Sequence, residues 1–143
     1  MADGSDAGYS SYIQFLNNAP YTASDSESII GGLPWGPSIS LWLERSPEFR
    51  LQKVETPLLL QPLSPYTLTC HWAMYAALRR LGKPVEMLFL PKASHILQQP
   101  WERMASQGGD VDWFCFWLRN EEDPDPGKAA QYKRWRELRS LQK

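Results

Sequence analysis

The stretch whose reading decides the fold is Thr56-Pro57-Leu58-Leu59-Leu60-Gln61, a turn through Ser64-Pro65, a helical pattern over Leu68 to Leu81, Gly82-Lys83-Pro84, then Val85-Glu86-Met87-Leu88-Phe89-Leu90 and the loop Pro91-Lys92-Ala93-Ser94-His95. Two short apolar runs flanking a helical pattern predict a βαβ unit with parallel strands. Pro57 opens the first run, where a missing N–H does least harm. Ser64-Pro65 supplies a cap and a first-turn proline. Met74, Tyr75, Leu78 and Leu81 fall on one helical face, and Gly82 follows as the stop. Neither strand alternates: Leu58-Leu59-Leu60 and Met87-Leu88-Phe89-Leu90 are apolar on both faces, so helices should cover both sides of the sheet. Two strands do not complete such a sheet, and an α/β class with an incomplete sheet follows. His95 lies past the carboxyl end of the second strand, where open parallel sheets place their chemistry.

Outward from this unit the bounds are ordinary. The chain has 143 residues, 43% hydrophobic and 22% charged, as in soluble globular proteins, and a net charge of -1 gives no case for nucleic acid or an acidic surface. No run is long enough to span a membrane and no charged-then-apolar leader is visible. Cys70 and Cys115 lie in apolar helical patterns and read as free thiols. Residues 1–28 are polar and rich in Gly, Ser, Asp and Asn, with no clear period. Ile29 to Pro37 reads as a loop, and Pro37 to Arg45 as a short helix broken by Ser46-Pro47.

After His95, Pro100 to Ser106 predicts a short helix ended by Gly108-Gly109, with Asp110 capping a second helix over Val111 to Arg119. Val111, Trp113, Phe114, Cys115, Phe116, Trp117 and Leu118 make that second helix apolar nearly all round, so it should be buried. Residues 120–127 form an acidic, proline-broken linker. Residues 128–143 form a basic amphipathic helix with Tyr132, Trp135 and Leu138 at three-residue steps.

Several pieces, in order, resemble the C-terminal end of the catalytic domain of prolyl oligopeptidase family serine peptidases. These are Gly32-Leu33-Pro34-Trp35, Ser46-Pro47, Thr56-Pro57-Leu58-Leu59-Leu60, Tyr75 through Glu86, His95 itself, and Asp112 through Leu118. The tail, with Glu122-Asp123-Pro124-Asp125-Pro126 and Gln131-Tyr132, is similar to a bacterial branch that includes lasso-peptide isopeptidases. The resemblance covers roughly residues 30–117. It implies an α/β-hydrolase fold, a peptide substrate, no cofactor, no metal, an upstream catalytic half and a β-propeller, and relatives that are often exported. It also implies that residues 1–28 follow a nucleophile region and that residues 29–119 close the catalytic domain.

The family's chemistry needs a serine in a Gly-x-Ser-x-Gly elbow, an acid and a histidine, in that chain order. By position, His95 is the histidine. The acid should follow Gln61, yet Gln61-Pro62-Leu63-Ser64-Pro65-Tyr66-Thr67 carries none, and Thr56 to Gly109 holds no Asp and only Glu86 and Glu102. Gly8-Tyr9-Ser10-Ser11-Tyr12 and Gly36-Pro37-Ser38-Ile39-Ser40 each carry half an elbow, without a preceding strand or the closing glycine. The nucleophile is therefore expected upstream, and the chain reads as a fragment, a mis-started frame or a degenerate copy.

Blander readings stand beside these. His71 reads as a surface or packing residue, Trp72 as packing, and the basic last helix as a solvated face rather than an RNA patch. Cys70, His71, His95 and Cys115 lack metal-ligand spacing. Three function classes follow: a serine peptidase piece, a catalytically dead interaction protein on the same scaffold, and a small binding module with Trp35, Trp42, Trp72 and Trp101 around a cleft.

Overall fold

The computed structural model describes residues 8–93 and 95–142, so expectations for residues 1–7, Ser94 and Lys143 lie outside it. The order is α1 (Tyr9–Asn18), α2 (Pro20–Ile30), α3 (Ile39–Arg45), a 3-10 turn (Pro47–Lys53), β1 (Leu58–Leu60), α4 (Pro65–Arg80) and β2 (Val85–Met87). Next come α5 (Pro100–Arg103), a π turn (Met104–Gly108), α6 (Gly109–Phe114), a second π turn (Cys115–Arg119) and α7 (Ala129–Arg139). The fold is mostly helical around a small parallel sheet, a partial α/β arrangement.

β1 and β2 pair in parallel, Leu58 with Val85, Leu59 with Glu86 and Leu60 with Met87. The ladder runs on past the strands through Leu88 N–H to Leu60 O (2.8 Å) and Leu90 N–H to Pro62 O (3.0 Å). The two-faced apolar character of β1 has its expected cause. Leu60 packs with Leu51, Met74, Leu78 and Val85 on the α4 side, while Leu59 packs with Trp113, Phe116, Tyr132, Trp135 and Leu138 on the other. α4 starts at the predicted place: Ser64 accepts from Thr67 N–H at 3.1 Å in a reciprocal capping box, with Pro65 in the first turn. Met74 and Leu78 of its predicted apolar face are buried, but Leu81 is 46% exposed.

Four expectations need correction. Within residues 8–28, α1 and α2 form where no period was visible. The buried side of α2 is Ala23, Ser26 and Ile30, of which Ile30 alone is large and apolar, too little for a period, and the hydroxyls of Ser26 and Ser28 return to carbonyls four residues back. Gly108 and Gly109 do not stop a helix; they keep right-handed helical angles, so residues 100–119 form one continuous rod with two π turns. Asp110 is accordingly inside the rod rather than at a cap. Finally, the apolar segment is not buried all round: Trp113 and Phe116 face the core, but Val111, Phe114 and Leu118 are exposed.

The N-terminal helices are tied by Trp42, fully buried against Tyr12 with ring centroids 4.8 Å apart. Its Nε1–H donates to Gly32 O at 2.9 Å. Gly32 has φ +126 and a Cβ there would lie 2.6 Å from Ser38 Oγ, which explains the glycine in the Gly-Leu-Pro-Trp segment. α7 seals the other end. Tyr132, Trp135 and Leu138 pack inward as their spacing predicts, and the Arg139 guanidinium lies 3.7 Å from the Phe116 ring centroid. Lys128 Nζ bridges Asp112 (2.8 Å) and Asp123 (2.7 Å), tying the segment after the rod back to it.

Candidate active-site cleft

Beyond the carboxyl ends of β1 and β2 the chain encloses an open cleft of about 470 Å³, lined by Leu63, His95, Ile96, Leu97, Arg103, Ser106, Gln107 and Asp110. Three segments build it. The turn after β1 contributes Leu63, the loop after β2 contributes His95 to Leu97, and the first half of the rod contributes the rest. Arg103 Nε–H donates to Leu97 O at 2.9 Å and fixes the His95 loop onto the rod. Glu102, 3% exposed, accepts from the backbone N–H of Gln98 and Gln99, each at 3.1 Å, and so anchors the start of the rod.

Gln61, fully buried at the end of β1, does not line the cleft itself but holds Ser106, which does. Its Oε1 accepts from Ser106 Oγ at 2.8 Å, and its Nε2 donates to Ser106 O at 3.3 Å. Gln61 also hydrogen-bonds the Asp110 carboxyl; burial pushes that carboxyl above its ordinary range, and the Gln61 contact pulls the other way. A carboxyl carried by the rod thus reaches the strand end where the sequence after Gln61 supplies none.

His95 is exposed at the cleft wall. The two carboxylates within reach by sequence have other work: Glu86 Oε1 is 2.8 Å from Arg134 on α7, and Glu102 caps the rod. Ser106 shares the cleft, but its hydroxyl is 2% exposed residue-wide and donates to Gln61, so it is a framework group. Ser10 sits in the first turn of α1, and Ser38 immediately precedes α3; neither follows a strand among the described residues. His71 is fully buried on α4, a packing residue. Trp72 packs one side against Tyr75, ring centroids 5.8 Å apart, and leaves 57% of its surface exposed. Trp42 is core, so the four tryptophans do not frame one cleft. Cys70 and Cys115 form no disulfide. Among the described residues no group of three or more His, Cys, Asp or Glu is placed to hold a metal, and no helix is long and apolar enough to cross a membrane.

Sequence reasoning found His95 and the strand ends but missed Asp110, Ser106, Arg103 and Gln107. The missed signal was Gln61 itself, a lone polar side chain between an apolar strand and Pro62, which must be satisfied from another element once buried.

By its similarity to a curated peptidase and to solved structures of the same enzyme, the chain belongs to the prolyl oligopeptidase family, and the match falls in the C-terminal portion of that family's chain. Within it the chain is similar to the lasso peptide isopeptidase AtxE2 of Asticcacaulis excentricus, 40% identical over 100 residues that make up 70% of this chain and 14% of that protein. A solved AtxE2 structure, a serine-to-alanine variant with Astexin3-dC4 bound, superposes with TM-score 0.77 at 31% identity, covering 99% of this chain and 21% of the other. The ligand-free AtxE2 isopeptidase gives TM-score 0.75 at 33% identity, covering 97% of this chain and 21% of the other. The chain therefore spans well under a quarter of the relatives it matches. No family model matches it.

Proposed function

We propose that this chain is the proton-carrying, C-terminal part of a serine-type peptidase acting on peptides of the lasso class, with His95 as general base and acid. In this reading the nucleophile and its elbow lie in an upstream catalytic half, and a β-propeller belongs to the complete enzyme. Residues 29–119 close the α/β-hydrolase domain, with residues 1–28 leading in from the nucleophile region. Residues 120–127 link to the basic helix of residues 128–143. The observation that carries the reading is the position of His95, on an open cleft at the carboxyl end of the parallel pair, in a chain similar to AtxE2.

The chemistry follows from what the cleft offers and lacks. An imidazole there can accept a proton from an attacking hydroxyl and return it to a leaving amine. No described serine is presented as an attacking group. A serine-directed fluorophosphonate probe tests this directly: the isolated chain stays unlabelled, and labelling at Ser10, Ser38 or Ser106 would place the nucleophile inside the chain.

A second reading is a catalytically dead hydrolase scaffold that serves as an interaction protein. It is favoured by the missing acid after Gln61, whose place at the strand end is taken by an amide–hydroxyl pair with Ser106. A genomic frame running upstream through a Gly-x-Ser-x-Gly elbow would count against it.

A further inference from the structure

Among its described lining residues the cleft holds one side chain that is always positively charged, Arg103. Its surroundings differ from those of three other arginines. Arg119, Arg134 and Arg136 meet Glu121, Glu86 and Glu122 at 2.9, 2.8 and 2.6 Å. Arg103 instead commits its Nε–H to the carbonyl of Leu97, at 2.9 Å. A carbonyl fixes a guanidinium without neutralising it. Among the described residues no carboxylate lies within ion-pair distance of Arg103, and its two Nη groups make no further hydrogen bond. The bond to Leu97 also decides which edge of the fork is left. A guanidinium offers a carboxylate two bidentate edges, Nε with one Nη, or the two Nη together. With Nε committed, the end-on Nη pair remains. Leu97 is two residues past His95, at most about 7 Å of chain, so a short tether ties that pair to the histidine loop.

We infer that Arg103 is a specificity-determining residue whose end-on Nη pair seats a carboxylate of the peptide substrate beside the His95 loop. The inference rests on the proposed function and narrows it, from peptides in general to peptides with a carboxylate close to the bond that is cut. The rest of the cleft suits such a ligand. Leu63, Ile96 and Leu97 supply apolar lining for the carbon part of the substrate, and Ile96 is 71% exposed to receive it. Asp110, seven residues further along the rod and about 10 Å away by helical rise, carries the cleft's carboxyl at the other end. The cleft is therefore polar along its length, drawing an anion to the Arg103 end and away from the Asp110 end. An acidic side chain and a free C-terminus share this chemistry, and the probes below separate them. An arginine that only tied the loop to the rod would need Nε alone and would give no preference for acids.

Three probes test it: acetyl-Ala-Phe-Glu-Ala-amide, its Gln counterpart, and the Gln peptide with a free C-terminal carboxylate. Their Kd values are measured by NMR titration of the 143-residue chain. Their inhibition constants are measured on lasso peptide hydrolysis by a chimera in which this chain replaces the matched segment of AtxE2. At least one acidic probe should bind about tenfold or more tighter than the neutral one, as one charge-assisted hydrogen bond provides. The tighter of the two identifies the source of the carboxylate. Arg103→Gln should bring all three probes to about the same Kd. Arg103→Lys keeps the charge but lacks the fork, and should retain a smaller preference. Arg80→Gln, an equal charge change at an exposed position on α4, should leave the preference as it is. Probes that bind alike, or not at all, overturn the inference. So does an Arg103→Gln chain that weakens all three by the same factor, the result expected from loss of the loop tether alone. His95→Ala in the chimera keeps the two readings apart. Turnover that survives it, with the carboxylate preference intact, removes the catalytic reading and leaves the Arg103 seat standing. Turnover lost, with no preference among the probes, removes the seat alone.

Discussion

Replacing Gln61 by Leu probes the buried support of the cleft residue Ser106 with least change of shape. The side chain is fully buried and exchanges two hydrogen bonds with Ser106, at 2.8 and 3.3 Å, while also serving the Asp110 carboxyl. Leucine fills much of the same volume, so the cavity contribution is small. The loss comes from the Ser106 hydroxyl, 2% exposed, left without its acceptor, at about 1–3 kcal/mol. The Asp110 carboxyl adds a pH dependence whose sign follows from linkage. Burial already raises its folded-state pKa, so Asp110 favours the folded state most below the unfolded carboxylate range and loses that contribution as pH rises toward the folded value. Removing the Gln61 hydrogen bond raises the folded pKa further, so the deficit of Gln61→Leu should be larger at neutral pH than in acid. Urea unfolding followed by far-ultraviolet circular dichroism measures both terms, and Ser106→Ala in the Gln61→Leu background should recover part of the loss because no orphaned hydroxyl remains. A Gln61→Leu chain as stable as the parent, or a deficit independent of both pH and Ser106, would refute the network.

Three further outcomes follow from the packing. Burial and the 2.8 Å hydrogen bond to Glu27 push Tyr12 up to about 12 from 10.0, so stability present below pH 10 falls as pH rises toward 12, by roughly 3 kcal/mol in all; Tyr12→Phe should flatten that slope in pH-dependent unfolding. Trp135 is 2% exposed, with ring centroids 5.1 Å from Trp113 and 5.3 Å from Tyr132, so Trp135→Ala should lose about 3–5 kcal/mol by urea midpoint. Trp135→Phe should lose clearly less, because the indole Nε1 makes no hydrogen bond among the described residues. Ser64→Ala removes the cap of α4 and should cost about 1 kcal/mol, read as a lowered Tm.

What could be read from the residues follows the strength of their physical signals. β1, α4 and β2 were legible because an unbroken Leu58-Leu59-Leu60 run, a Ser64-Pro65 start and Gly82 each point to the same unit. α7 was legible through Tyr132, Trp135 and Leu138. α2 was not, because Ala23 and Ser26 bury small surfaces that carry no apolar period; α1 was overlooked although Tyr9, Tyr12, Ile13 and Leu16 recur at helical steps. Gly108-Gly109 misled for a different reason: glycine lowers helix propensity by about 1 kcal/mol without forbidding the helix, and both residues keep right-handed helical angles. The overcount of burial in Val111 to Leu118 was a correct reading of composition. Its outward half, with Val111, Phe114 and Leu118, is exposed among the described residues. In the cleft, His95 was legible from its place after a strand. Asp110 was not, because 49 positions separate it from Gln61 and only the folded rod brings the two together.

The central claim is that His95 moves the proton for a serine held elsewhere. It is measured most directly as kcat/KM for lasso peptide hydrolysis by a chimera in which this chain replaces the matched segment of AtxE2, with and without His95→Ala. The account predicts an active chimera whose kcat/KM falls by on the order of 10⁴ or more in the variant, as loss of a base from a serine–histidine pair does. An active chimera indifferent to His95→Ala would contradict it.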